Sequence, residues 1–144
     1  VHAPVLAPRH LPQRVVVAGT PGDQLTGFLE RLAATLDVPL VPLADLSGPS
    51  EVARLAAFDG WVTTAEDAWA RPLLLERAEL LVRAELAAAS FAGRVRRTLR
   101  RIRSEVREPD HGWVDGASLV HPRLAVVRLP DPAAAEAWLR SLEG

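Results

Sequence analysis

RVVVAGTPGDQLTGFLERLAATL, residues 14–36, is the stretch whose reading decides the fold. Val15, Val16 and Val17 form a β-branched apolar run, Gly19, Pro21 and Gly22 punctuate a turn, and Phe28, Leu29, Leu32 and Leu36 recur at helical spacing. A strand, a loop and a helix therefore follow one another, which is the frame of a phosphate-binding loop. That motif requires a glycine, four residues, and then Gly-Lys-Ser/Thr. Here Gly19, Thr20, Gly22 and Asp23 occupy the first part of the loop, and Gln24, Leu25 and Thr26 stand in the last three places. The first glycine and the hydroxyl are present; the second glycine and the lysine are replaced.

The replacements fall on the phosphate chemistry. A phosphate would sit on the unpaired N–H groups at the start of the helix, with the lysine neutralising its outer oxygens. Leucine does neither, and Gln24 places a Cβ where the backbone must approach phosphate closely. Asp23 adds a negative charge nearby. At an effective dielectric of about 20, two unit charges about 4 Å apart interact by about 4 kcal/mol, enough to change a binding constant by orders of magnitude. Asp23 also has a purely structural reading, as a helix cap contributing about 1 kcal/mol.

Composition bounds the rest. A chain of 144 residues, 49% hydrophobic and 24% charged, reads as one ordinary soluble domain with a real core. Arg, Asp and Glu interrupt every apolar run, so no membrane span is expected. The start, VHAPVLAPRHLP, is proline-rich without a continuous apolar region. Residues 1–13 are accordingly expected to be a mobile lead-in rather than a signal peptide, followed by a single domain over 14–144. There is no cysteine, which removes disulfides and thiolate chemistry, and no lysine, so any cation at a phosphate must be an arginine.

Along the chain, residues 38–43 (VPLVPL) suit a strand at a sheet edge, with Asp45 just after it. Ser50 is a plausible cap for a helix over 51–58, and Trp61 to Thr64 is the next strand. A helix broken near Pro72 is expected over 66–77, then a fourth strand at Leu80 to Val82. A long helix is expected over 87–107, where Val95, Leu99, Ile102 and Val106 form one apolar stripe. Seven arginines, among them Arg94, Arg96, Arg97, Arg100 and Arg101, stand there against the single acid Glu105, while the whole chain has a net charge of −1. Residues 108–118, with His111, Trp113 and Gly116, read as a polar loop; 124–129 is the last strand. Asp131-Pro132 opens a final helix with Ala134, Trp138 and Leu142 on one face. The alternation predicts an α/β fold: three layers, with a mostly parallel five-stranded sheet and helices on both faces. Ligands in such sheets bind beyond the carboxyl ends of the strands, where Gly19 to Thr26 would lie.

With these residues placed, the chain resembles the P-loop nucleotide-kinase-like family, and within it the topology modulation proteins, which look like short adenylate kinases. The match is carried by GTPGDQLTGFLERLA at 19–33, VPLVPLADL at 38–46, DGWV at 59–62 with LLLERAELLV at 73–82, and RVRRTLRRIR at 94–103. The resemblance implies a cytoplasmic P-loop NTPase-like domain. It implies phosphate contacts from Gly19, Thr20, Gly22, Asp23, Gln24, Leu25 and Thr26, Thr26 being the magnesium-side hydroxyl, and substrate or partner contacts from Asp45, Arg94, Arg96, Arg97, Arg100 and Arg101; Trp113, by its place in a polar loop, is the tryptophan expected to contact a ligand or partner. The chain departs from the family at Leu25, Gln24, Thr64, Ala65 and Glu85.

Three readings follow. The leading one is a catalytically degenerate domain acting by binding a nucleotide, a phosphorylated small molecule or a protein partner, with no fixed cofactor or metal. The second is an active kinase using ATP with Mg2+, in which Arg97 or Arg101 replaces the loop lysine, since bidentate arginine suits phosphoryl groups. The third is binding of nucleic acid or an acidic partner through the arginine-rich helix, set against a plain solvated helix face. No aromatics interleave those arginines, which argues against single-stranded nucleic acid. His111, His121, Asp110 and Asp115 match no metal-ligand spacing, and no G-x-S-x-G elbow is present.

Overall fold

The valine run becomes the centre of a parallel sheet. A computed structural model describes residues 11–20, 22–86 and 112–143. In them β1 (Arg14–Gly19) lies between β2 (Trp61–Thr64) and β3 (Leu80–Ala84), with β4 (Ala125–Leu129) beyond β3. All three pairings are parallel, Val16 standing opposite Thr63 on one side and Leu81 on the other. Parallel neighbours cannot be joined by a tight hairpin, so the chain crosses over the faces between strands. The helices α1 (Asp23–Leu36) and α5 (Pro132–Glu143) cover one face; α2 (Pro49–Ala56), α3 (Arg71–Leu75) and α4 (Trp113–Val120) cover the other. The described chain is thus an α/β domain with a four-stranded parallel sheet between two helical layers.

Burial on both faces explains why β1 is apolar at consecutive positions instead of alternating. Val15 and Val17 meet Leu25, Phe28, Leu29 and Leu32 of α1. Val16 and Ala18 face Val52, Leu74 and Val114 on the opposite side. The helix α1 buries the expected stripe and ends at Asp37, whose left-handed conformation (φ 59°) aims its N–H at Ala34 O, 3.2 Å away. Asp131 caps α5 as expected, its Oδ1 accepting the Ala134 N–H at 2.8 Å with Pro132 in the first helical position. The buried line of α5 is Ala135 and Leu139 with Trp138 and Leu142 at its margin, one residue round from the expected Ala134 face.

Four local expectations are corrected. Residues 38–43 make a single bridge, Leu40 to Val62, instead of a fifth strand. Pro39 and Pro42 carry no N–H and so leave a ladder without donors at those positions. The second helix starts at Pro49 with Gly48 in the cap position, not at Ser50; the Glu51 carboxylate reaches back to accept the Ser47 N–H at 2.8 Å. Over 66–77, a 3-10 turn (Ala68–Ala70) runs into α3, so Pro72 falls in the first turn, where its missing N–H costs nothing. Trp113 and Gly116, read as loop, lie on α4, which buries Val114 and Ala117. Of the expected lead-in over 1–13, residues 1–10 lie outside the described residues, as does the helix over 87–107, while Leu11 packs against the core and Gln13 O accepts the Trp61 N–H at 2.7 Å. Among the described residues no helix is long and apolar enough to cross a membrane.

Across the face covered by α1 and α5, Arg31 pairs with Glu136 and with Glu143, and Arg140 pairs with Glu136 at 3.0 Å. The Phe28 and Trp138 rings stack beside them with centroids 6.2 Å apart. The Arg31 hydrogen bond holds the Glu136 carboxyl below the usual glutamate range, and the Ser47 backbone N–H does the same for Glu51. Each folded-state pKa lies under the unfolded one, so each contribution is complete above the unfolded value of about 4.3 and is lost as pH falls through the folded value. Glu136→Gln is expected to lower the melting temperature slightly at pH 7 and to melt with the natural chain at pH 2, by circular dichroism. The same separation at both pH values would rule out the ion pairs as its source.

Candidate functional site

A cavity of about 440 Å³ opens beyond the carboxyl ends of β1 and β2. From β1 the chain runs through α1 to residues 38–43 beside β2, at one edge of the sheet; from β3 it runs to β4, at the other. The carboxyl side of such a reversal is where ligands bind in open α/β sheets. Gly19, Gly22, Leu25 and Thr26 form one wall, and Thr64, Ala65 and Glu66 at the end of β2 form another. Leu40 and Pro42 add an apolar flank, while Arg71 and Trp113 stand over the opening from the α3 and α4 side.

The Leu40 and Pro42 flank is held by threonine side chains in place of a ladder. Val41 N–H donates to Val62 O, and Val62 N–H to Pro39 O, both at 2.9 Å. Beyond that single exchange, Thr63 Oγ1 donates to Val41 O at 2.6 Å and Thr64 Oγ1 accepts the Leu43 N–H at 3.0 Å. Thr63 is fully buried, and its hydroxyl is satisfied by this bond, as a buried hydroxyl must be. The sequence places Thr64 and Ala65 where the resembled family has an acidic residue and Gly; Thr64 here serves to position the cavity wall.

At the loop, β1 and β3 approach so closely at Gly19 that an added Cβ would lie 2.9 Å from the Ala84 carbonyl oxygen and 3.1 Å from Leu25 Cδ1. Leu25 is 6% exposed: its side chain turns down onto Gly19 and joins the core under α1. No side chain caps α1. Gly22 occupies the cap position at φ 156°, and Asp23 is the first helical residue, so its charge meets the helix dipole instead of making the cap bond allowed for it. The Thr26 N–H is taken by Gly22 O at 3.0 Å.

Arg71 is fixed over the mouth. Its Nε donates to Ala65 O at 2.9 Å and Nη2 to Glu66 O at 3.4 Å, and its Cζ lies 4.4 Å from the Trp113 ring centroid. A guanidinium so placed over an indole face is held by cation–π attraction. The Trp113 indole N–H is buried with no acceptor.

Of the residues singled out from sequence, Gly19, Gly22, Leu25, Thr26 and Trp113 meet at this cavity. Asp23 and Gln24 turn away and line a separate groove of about 270 Å³ with Phe28, Arg31 and α5 residues. Thr20 is exposed beside the loop, and Asp45 is exposed in a 3-10 turn (Leu43–Asp45) outside both. The Glu85 carboxylate is engaged by Arg83 at 3.0 Å. Arg94, Arg96, Arg97, Arg100 and Arg101 lie outside the described residues. Among the described residues no cluster of three His, Asp or Glu side chains could hold a metal ion. Sequence reasoning missed Arg71, Glu66, Leu40 and Pro42; the one signal for Arg71 is its place directly before Pro72 at a helix start.

The contact at Gly19 makes a definite stability forecast. Gly19→Ala is expected to cost about 1–3 kcal/mol in urea unfolding, because backbone must shift to relieve the contact with Ala84. Gly27→Ala, in the interior of α1 with open space at its Cβ position, is expected to stabilise by about 0.5–1 kcal/mol. An equal response at the two positions would refute this reading of the loop.

Neither a known family model nor a curated protein sequence matches the chain.

Proposed function

We propose that this chain is a P-loop nucleotide-kinase-like domain that has lost phosphoryl transfer and acts by binding, with a small ligand held in the cavity at the carboxyl end of the sheet. The observation that carries the reading is Leu25. At the position where a phosphate-binding loop needs its lysine, an apolar side chain is 6% exposed and packed onto Gly19, so the loop presents no cation to a phosphate from that position. Parallel pairing of β1 with both β2 and β3, and the bridge of Leu40 to Val62 beside β2, support the kinase-like frame. A concave, mostly apolar space with a few polar groups is the form small-molecule sites take, and it favours a small ligand over a protein partner.

Catalysis by Arg97 or Arg101 is the alternative that turnover would reveal. Calorimetric titration with ATP, ADP and GTP, with and without Mg2+, should therefore be run on the natural chain and on the double variant Gln24→Gly with Leu25→Lys, with thermal melts confirming that both are folded. The natural chain is expected to bind ATP at least about a hundredfold more weakly than the variant, from the charge difference alone. It is also expected to release no phosphate from ATP. Magnesium-dependent turnover by the natural chain would overturn the proposal. A Leu25→Lys variant that folds yet gains no affinity would remove the loop from it.

A further inference from the structure

The outer edge of the sheet offers a second surface, and none of its residues lines the cavity. Among the described residues no strand pairs with β4 on the side away from β3. Ala125 N–H donates to Glu79 O at 3.3 Å and Leu129 O accepts the Glu85 N–H at 2.9 Å, so Ala125, Val127 and Leu129 turn their backbone groups to β3. The alternate residues, Val126 and Arg128, turn theirs outward. Folded chains blunt such an edge with unpaired charge, proline or a bulge. Here the register along β3 is unbroken, and the one charged side chain of β4, Arg128, is already met by Asp115.

The helix beside the edge extends its apolar surface. Asp115 reaches Arg128 from α4, and Leu119, four residues on, stands on the same side of that helix. Leu119 is 83% exposed and Val120 73%. An apolar edge whose one charge is satisfied within the chain suits a second copy of itself, because the two surfaces then meet without repulsion. Across a two-fold axis the two β4 strands run antiparallel, and hydrogen-bonded pairs form where outward residues meet outward residues. Three registers within the strand do this. Arg128 on Arg128 opposes like charges. Val126 on Val126 sets Arg128 against Leu124, whose N–H is already given to His121 O at 3.0 Å. Val126 on Arg128 uses both outward residues of each strand, sets Val127 on Val127, and carries the exposed Arg123 to face the exposed Asp131 at both ends. Asp131 spends Oδ1 on the Ala134 N–H, and its other carboxylate oxygen can take the guanidinium.

We infer that the outer edge of β4 pairs antiparallel with the same edge of a second copy of this chain, Val126 opposite Arg128 and Val127 opposite Val127, which joins two four-stranded sheets into one. Backbone bonds supply the pairing. The ion pairs between Arg123 and Asp131 fix its register, since exposed pairs are worth more for orientation than for strength. Leu119, beside the edge, comes to lie at the junction of the two copies.

The test is sedimentation velocity of the full chain over about 1–200 µM, where a monomer–dimer equilibrium is expected, as for interfaces of the small, transient class. Because the Val126 N–H faces outward, Val126→Pro spares the ladder to β3; it is expected to give a monomer with the circular dichroism spectrum of the natural chain. Arg123→Asp, which sets a carboxylate against Asp131, is expected to weaken association at least about tenfold at low salt and less at high salt. The chain has no cysteine, so Val127→Cys and Val126→Cys each carry a single thiol. Oxidation is expected to link the first into a covalent dimer and to leave the second largely unlinked, because only residue 127 faces its own copy. A natural chain that stays monomeric throughout, a folded Val126→Pro variant that still dimerises, or Val126→Cys linking as readily as Val127→Cys would each overturn the inference. The first and last of these decide it even if the proline variant does not fold, and what the cavity binds has no bearing on any of them.

Discussion

The packing of Leu25 onto Gly19 is the contact on which the rest of the site depends. Gly19 ends the central strand, and its missing Cβ lets β3 come close enough for the Ala84 carbonyl to lie where a side chain would begin. The space above the glycine is then taken by leucine methyls belonging to the core under α1. A lysine in the same place could not remain there, since burying an unpaired ammonium is costly; it would have to swing outward. The Leu25 side chain therefore makes this end of the loop part of the hydrophobic floor of the cavity.

The second determinant lies on the far wall. Residues 38–43 carry two prolines and so cannot form a regular ladder, yet they are held beside β2 by one backbone exchange and two threonine hydroxyls. Side chains thus perform the pairing that the proline backbone cannot, and they set the depth at which Leu40 and Pro42 stand. The hydrogen bonds serve position as much as stability. Arg71 is treated in the same way, its guanidinium spent partly on the carbonyls of the adjoining turn.

The sheet and its two helical layers were legible in the sequence where periodicity was strong. The valine run, the stripe from Phe28 to Leu36 and the Asp131-Pro132 start each express one local rule that tertiary packing does not contradict. The α4 helix escaped notice because Gly112, Asp115, Gly116 and Ser118 have loop composition; its helical signal is only Val114 and Ala117, three residues apart. Residues 38–43 have the composition of a strand and the donors of none at two positions, so hydropathy and hydrogen bonding point in different directions there. At the cavity, Gly19, Gly22, Leu25 and Thr26 were named from their spacing, while Thr20, Asp23 and Gln24, named by the same spacing, lie away from it, the latter two because the first turn of α1 aims them elsewhere. Arg71 could not be named in that way, because its importance comes from Trp113, a residue 42 positions away that only the fold brings to it.

The order of the strands also governs how the chain must be made. Every sheet pairing among the described residues is parallel and joins segments far apart in sequence, with Val16 on Thr63 and on Leu81, and Leu81 on Val126. No neighbouring pair can close early as a hairpin would, so folding waits on long loops and is slow for a domain of this size. The apolar face of α1 has the longest wait, since Phe28 is stacked by Trp138 and Arg31 is clamped by Glu136 and Glu143. During synthesis the Phe28 ring and the Arg31 guanidinium lack these partners until α5 emerges. The ion pairs between α1 and α5 are then a latch that closes only after Glu136 and Glu143 have been made.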